Sequence, residues 1–258
     1  MSERLSFYIK RDSLIHSLNP FTKLTLVISF ILIAFFGVWY WTAVFLILFI
    51  LLLSQVAKVF REYVGVAARM LLPIAGFLFL MQSFFLPGGK TELWNLGFFS
   101  LKTENIQIAF LNATRIFMLV STFLLFLLTT HTSELMGDLT RRGIPPQIAY
   151  VVVSTLQILP QMQSKAQTII AAQRSRGLDT ESSFIKRIGA LVPLVGPLVF
   201  GSLVEVEERA IAIEARGFTS KKVKTSLYEI PDRSSDKIIR WGLIVLVIIF
   251  IALNLWHL

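Results

Sequence analysis

The chain has 258 residues, of which 55% are hydrophobic and 16% charged, and its mean hydropathy is +0.69. Soluble domains carry about 25% charged residues, so this composition argues against an ordinary soluble domain and predicts an all-α integral membrane protein. The absence of cysteine excludes disulfide and thiolate chemistry. A formal net charge of +9 fits the lysine and arginine excess of cytoplasmic loops, so we expect no nucleic acid partner.

The first hydrophobic stretch, residues 24–53, contains no charged residue. As one helix it would be about 45 Å long, against about 30 Å for the hydrocarbon core of a bilayer. Its middle holds the aromatic cluster Trp39–Trp41, which is typical of a membrane interface. The pattern therefore predicts two short helices, near 24–37 and 41–56.

Three further spans are predicted near 70–86, 106–130 and 238–256. Basic residues are concentrated before the first span and in the predicted 54–69 loop between the second and third: Arg4, Lys10, Arg11, Lys23, Lys58, Arg61 and Arg69. By the positive-inside rule these segments are cytoplasmic, which predicts about five crossings with the N-terminus inside.

A mixed polar and apolar block precedes the last span. The predicted division is residues 1–130 for the N-terminal segment and four spans, 131–237 for a cytoplasmic domain, and 238–258 for the last span. Within the block we expect a short amphipathic helix over 132–142 and two long, crossed helices over 146–176 and 185–216. A sixth crossing at 187–204 is the alternative, since that run is apolar.

Each long helix ends on an arginine followed by a glycine, with a small residue before them. Ser175, Arg176 and Gly177 close the first, and Ala215, Arg216 and Gly217 close the second. One such ending is an ordinary helix stop, because a cation suits the last turn and glycine suits the position after it. Two endings, each with a small residue beside the arginine, favour insertion into two similar sockets on partner subunits, where a guanidinium binds carboxylates or carbonyls.

Several motifs resemble one family, the transmembrane T component of energy-coupling factor (ECF) transporters. They are YIKRDSLIHSLNPFTKL at 8–24, Thr129-Thr130 followed by SELMGDLTRRGIP, and the endings AAQRSRGLD and IEARGF. The opening departs from the family pattern at Asn19, where aspartate is common, and at Phe21, where a basic residue is common.

The resemblance implies a non-catalytic scaffold in the bacterial inner (plasma) membrane. Two cytoplasmic ATPase subunits, of A and A-prime type, would bind its coupling helices, and a membrane-embedded S component would bind a vitamin or trace metal. The ATPase contacts would be Ser175, Arg176, Gly177, Ala215, Arg216 and Gly217. The chain itself would bind no cofactor, because ATP and magnesium belong to the partner subunits.

Two other functions are alternatives. A self-sufficient secondary transporter would carry ionisable groups at mid-membrane, and only Arg115 lies inside a predicted crossing, where a pair with Glu104 is one expectation. A membrane enzyme would cluster catalytic groups, and His16, His131 and His257 are far apart in sequence.

Overall fold

The computed structural model describes residues 8–37, 40–86, 91–95, 100–177, 184–220 and 231–256. Their contacts divide the chain into two compact units. The described part of the smaller unit lies within Pro145–Glu229, and that of the larger unit lies within Ser6–Ile144 and Ile230–Leu258.

The larger unit is mainly helical. Its described elements are α1 (Pro20–Phe36), α2 (Tyr40–Val56), α3 (Phe60–Val66), α4 (Leu72–Phe85), β1 (Glu92–Asn95), β2 (Ser100–Lys102), α5 (Thr103–Thr129), α6 (Thr132–Arg141) and α9 (Ser234–Trp256). Helix α5 lies at the centre, with α1, α2 and α4 packed against it, and α1 also packs on α6 and α9.

An apolar core holds these helices together. It takes Phe30 from α1, Ile50 from α2, Met118 and Leu125 from α5, and Val247 from α9, all of them buried. Helix α3 adds Tyr63, which is paired with the hydroxyl of Ser121 on α5.

Local chemistry explains the start of α1 and the start of α6. Asn19 caps α1, because its side-chain oxygen accepts a hydrogen bond from Phe21 N at 2.9 Å, and Pro20 occupies the first helical position. His131 caps α6 in the same way, through Nδ1 and Ser133 N at 3.3 Å.

Two segments of the described chain are long and apolar enough to cross a bilayer: Phe60–Phe85, with 26 residues, and Thr103–Thr129, with 27. Helices α1 and α2 are apolar and have 17 residues each. The expectation of an all-α membrane fold is thus met in its main feature, a largely helical and apolar chain. The number of crossings and their orientation stay predictions.

The interval 54–69 differs from the expected loop. It is helical from Phe60 onwards, and a π-helical turn at Ala67–Leu71 joins α3 to α4. The basic residues of this interval directed the prediction to a loop, but Val59, Tyr63 and Ala67 are buried and tie the segment to the core.

The strand pair β1 and β2 is a second difference. The strands run antiparallel between α4 and α5, with Asn95 opposite Ser100. Strands of four and three residues leave no periodic signal in the sequence, and hydropathy alone did not predict them.

The smaller unit consists of two long helices in its described part, α7 (Pro146–Ser175) and α8 (Phe184–Ala215). Their bounds lie within one residue of the predicted 146–176 and 185–216. Residues 187–204 belong to α8, which continues to Ala215 as one helix. The assignment of 131–237 to a cytoplasmic domain stays a prediction.

Candidate functional site

The first of the two arginine tips closes α7. Ser175 is the last helical residue, and Arg176 follows with φ −90° and ψ 8°. The amide of Arg176 donates to Gln173 O at 3.0 Å, and that of Gly177 donates to Arg174 O at 2.9 Å. Gly177 has a φ of +90°, a left-handed conformation that a side chain disfavours. This turn is the helix stop that the sequence predicted.

The second arginine tip closes α8 with the same geometry. Ala215 is the last helical residue, the amide of Arg216 donates to Ile213 O at 3.2 Å, and that of Gly217 donates to Glu214 O at 2.9 Å. Gly217 has a φ of +70°. Arg176 and Arg216 therefore occupy equivalent positions in two equivalent turns.

Both tips are open to solvent. Ser175, Arg176 and Gly177 are exposed, and so are Ala215, Arg216 and Gly217. Among the residues that the structure describes, no ion pair or side-chain hydrogen bond to either guanidinium is present.

Contacts between α7 and α8 set the positions of the tips. Arg209 Nη2 donates to Gln161 Oε1 at 2.7 Å, and Lys165 forms an ion pair with Glu205. The residue further along α7 thus contacts the residue earlier in α8, so the two helices run antiparallel.

The turn after α8 continues the same antiparallel pairing. Phe218 packs its ring against Tyr150 of α7, with ring centroids 5.4 Å apart. The Arg216 tip consequently lies near the start of α7, whereas Arg176 lies at the end of that helix. At 1.5 Å per residue, the 25 residues from Tyr150 to Ser175 span about 38 Å.

A buried polar cluster in the larger unit was not predicted from the sequence. Asn19 Nδ2 donates to Asp138 Oδ1 at 3.2 Å, and Arg142 Nε donates to Asp138 Oδ2 at 2.9 Å. Asp138 is 3% exposed, and a buried carboxylate needs such partners: Arg142 balances its charge and Asn19 adds a hydrogen bond. The guanidinium of Arg142 also lies 4.0 Å from the centroid of the Phe21 ring. The cluster joins α6 to the start of α1.

The start of α9 belongs to the same cluster. Arg240 Nη2 donates to both carboxylate oxygens of Asp232, at 2.8 and 2.9 Å, and Arg142 lies 3.6 Å from Asp232. Hydrogen bonding from Arg240 and the charges of both arginines lower the pKa of Asp232. The buried carboxylate of Asp236 accepts from Asn19 N at 3.1 Å. Asn19 therefore takes part in the polar chemistry of this region, although it has no charge.

A histidine lies beside this cluster. His16 Nε2 donates to Ile9 O at 3.0 Å, and Nδ1 accepts from the Ser13 hydroxyl at 2.7 Å, since a carbonyl can only accept. Burial lowers the pKa of His16, and the nearby charge of Lys23 acts in the same direction. This lowering favours the neutral form of the ring.

Arg115 has different neighbours from those expected. Its Nη2 lies 3.4 Å from Gly37 O and its Nη1 lies 3.5 Å from Asn112 Oδ1, while Glu104 accepts from Thr91 instead. The Nε of Arg115 is buried beside a small cavity and has no hydrogen-bond partner among the described residues. A pair with Glu104 is thus wrong.

In the described part of the chain, no three histidine, aspartate or glutamate side chains lie close enough together to hold a metal ion.

Comparison with known proteins identifies the family. Residues 11–227 match the model of the family described as CbiQ, cobalt transport protein. The chain belongs to this family. The match covers both arginine tips and, of the buried polar cluster, Asn19, Asp138 and Arg142. Family membership makes the chain a membrane transport protein, and the resemblance to the T component family is confirmed.

Curated relatives of this family member carry the name energy-coupling factor transporter transmembrane protein EcfT. The protein of Exiguobacterium sibiricum is 30% identical over 251 residues, which cover 93% of each chain. That of Limosilactobacillus fermentum is 27% identical over 264 residues, covering 98% of each, and that of Ruminiclostridium cellulolyticum is 28% identical over 232 residues, covering 86% of each.

Proposed function

We propose that the chain is the transmembrane scaffold subunit of an ECF-type importer in the bacterial inner membrane. In this role it couples ATP hydrolysis by two cytoplasmic ATPase subunits to movement of a membrane-embedded S component, which binds the vitamin or trace metal. The N-terminus lies in the cytoplasm. Catalysis, ATP and magnesium belong to the ATPase subunits.

One observation carries the proposal: Arg176 and Arg216 are exposed in two turns of the same geometry at opposite ends of α7. An arginine can bind a carboxylate through two parallel hydrogen bonds, which favours a defined socket over a diffuse charged surface. The part of α7 between the Tyr150 contact and Ser175 is about 38 Å long, which exceeds the roughly 30 Å diameter of a small domain. It supports two sockets on two subunits.

The packing of α7 on α8 supports the coupling role. Contacts along α7 from Tyr150 to Lys165 hold the two helices together: Arg209 with Gln161, Lys165 with Glu205, and the rings of Tyr150 and Phe218. Because both tips belong to one packed pair, closure of the ATPase subunits would move that pair as a lever. The S component would follow that movement.

The test is charge reversal at each tip. Arg176→Glu and Arg216→Glu, in a tagged chain co-expressed with the ATPase and S subunits of its host, should each weaken ATPase binding by about 2 kcal/mol or more, roughly 30-fold. Arg176→Lys keeps the charge but loses the bidentate geometry, and we expect an intermediate loss. The readouts are co-purified ATPase, measured by mass spectrometry, and ATP-dependent uptake in proteoliposomes.

The matched control is Arg69→Glu, the same change at an exposed arginine of the π-helical turn Ala67–Leu71. It should leave ATPase co-purification intact. Normal assembly and uptake in both tip variants would remove the coupling role of Arg176 and Arg216. Solute uptake by the chain alone, driven by an ion gradient, would favour the secondary transporter instead.

A further inference from the structure

Lys58 adopts a backbone conformation that normally belongs to glycine. Its φ is +58°, and among the described residues no other non-glycine residue has a positive φ. It ends α2 in a Schellman motif, in which Lys58 N donates to Gln55 O at 2.9 Å and Val59 N donates to Ser54 O at 3.1 Å. Glycine is usual at this position because a side chain disfavours the left-handed region. A lysine is therefore less favourable than glycine at this position. We ask what its side chain contributes in return.

The neighbours of Lys58 direct its side chain outwards. Ala57 and Val59 are both 0% exposed, whereas Lys58 is exposed. The tight turn thus anchors the backbone on two buried apolar side chains and presents the ammonium group at the surface between α2 and α3.

Three more exposed cations accompany Lys58: Lys10, Arg11 and Arg61. Arg61 belongs to the first turn of α3, and the ion pair of Arg11 with Glu62, at 3.2 Å, brings the N-terminal segment to the same turn. We call these four residues the basic patch. Its cations outnumber the two nearby acids, Asp12 and Glu62.

The basic patch lies where apolar helices meet. Helix α2 has no charged residue, and α3 begins the apolar segment Phe60–Phe85. Leu14 is 77% exposed and Phe60 is 39% exposed, so apolar side chains border the cations. Cations above exposed apolar groups, at the end of a membrane helix, match the headgroup layer of a bilayer.

We propose that the basic patch binds the headgroup phosphate of an anionic phospholipid, with Lys58 as the residue placed for that contact. The lipid chains would cover the apolar groups around Leu14 and Phe60, and the four cations would neutralise the phosphate charge. A lysine near an anionic lipid surface contributes about fivefold to binding. The strained backbone at Lys58 is then the cost of holding the ammonium at the phosphate.

Two substitutions separate this role from a purely structural one. Lys58→Gly relieves the backbone, so the chain should become more stable in neutral detergent while its affinity for anionic lipid falls. Lys58→Arg keeps the charge and the strain, so the affinity should stay near that of the parent chain. In Lys58→Gly, the stability of the chain should therefore rise while its affinity for anionic lipid falls.

The experiment titrates the purified full-length chain in neutral detergent with short-chain phosphatidylglycerol and measures bound lipid by native mass spectrometry. We expect about fivefold weaker binding for Lys58→Gly, and about 25-fold for Lys58→Gly with Lys10→Gln. Phosphatidylcholine should bind equally to all variants, and Arg174→Gln, on α7, serves as the charge-matched control with unchanged affinity.

Equal phosphatidylglycerol affinity in the parent chain and in Lys58→Gly would overturn the proposal. So would loss of co-purifying ATPase subunits from Lys58→Gly at unchanged lipid affinity, because the patch would then bind a protein. Neither outcome would contradict the coupling role of Arg176 and Arg216, because that role is tested with other variants.

Discussion

Asn19 donates its side-chain amide to the buried carboxylate of Asp138 at 3.2 Å, across 119 residues of sequence. The same side chain caps α1, and the backbone amide of Asn19 donates to Asp236 at 3.1 Å. One uncharged residue therefore connects the start of α1 with α6 and α9. These three contacts make Asn19 the residue on which the polar cluster of the larger unit depends.

Removal of the Asn19 side chain should destabilise the chain. Asn19→Ala deletes the helix cap and leaves one oxygen of buried Asp138 unpaired, at a cost of about 1–3 kcal/mol. The measurement is reversible unfolding in mixed micelles, followed by circular dichroism. Ser17→Ala is the control, since the exposed Ser17 hydroxyl donates to Leu14 O in the same loop, and its effect should stay within about 0.5 kcal/mol. Equal effects of the two variants would contradict the importance of the cluster.

The pairing of Arg142 with Asp138 should be visible as non-additivity. Arg142→Ala removes the cation from a carboxylate that is 4% exposed, and because Arg142 itself is partly exposed we expect a loss of about 2 kcal/mol. Adding Asp138→Asn removes the unpaired charge, so the double variant should lose about 1 kcal/mol less than the sum of the two single variants. Additive losses would mean that solvent already screens the pair.

His16 should make the chain sensitive to mild acid. Burial lowers its folded pKa below the value of about 6.5 in the unfolded chain. The unfolded state then binds more protons, so stability is complete above pH 6.5 and falls as the pH drops through that value. His16→Gln should flatten the decline in thermal midpoint between pH 7.5 and 5.5. An unchanged decline would assign the acid sensitivity to other groups.

Substitution by alanine should lower the stability of the chain at the two tip glycines and raise it at a glycine inside α8. Gly177→Ala and Gly217→Ala place a side chain at φ +90° and +70°, which costs about 1 kcal/mol each. No atom lies within 4 Å of the added methyl group at either position, so the cost is one of backbone conformation. Gly201→Ala, inside α8 and equally free of clashes, should stabilise by about 0.5–1 kcal/mol. Thermal unfolding of the three variants measures the signs.

The elements of the fold were largely predictable from the sequence. The bounds of α5, α6, α7 and α8 lie within three residues of the predicted ones, because hydropathy and helix-ending residues are local signals. The prediction of a loop over 54–69 was wrong. Its basic residues indicated a loop, whereas the burial of Tyr63 depends on packing that the sequence pattern does not show. The arginine tips were predicted as helix endings, and their chemistry towards a partner stays a prediction.

What the sequence by itself determined is the membrane character of the chain and the shape of each helix end, because both follow from residues that are neighbours in sequence. Only the tertiary structure decided which polar groups meet. Asn19 contacts Asp236 across 217 residues, and Arg115 contacts Gly37 rather than Glu104. Such pairs depend on how whole helices pack, and packing brings together residues whose separation in sequence carries no periodic signal. For the same reason, only the tertiary structure shows that α8 runs antiparallel along α7, which places Arg216 near the start of α7 and Arg176 at its end.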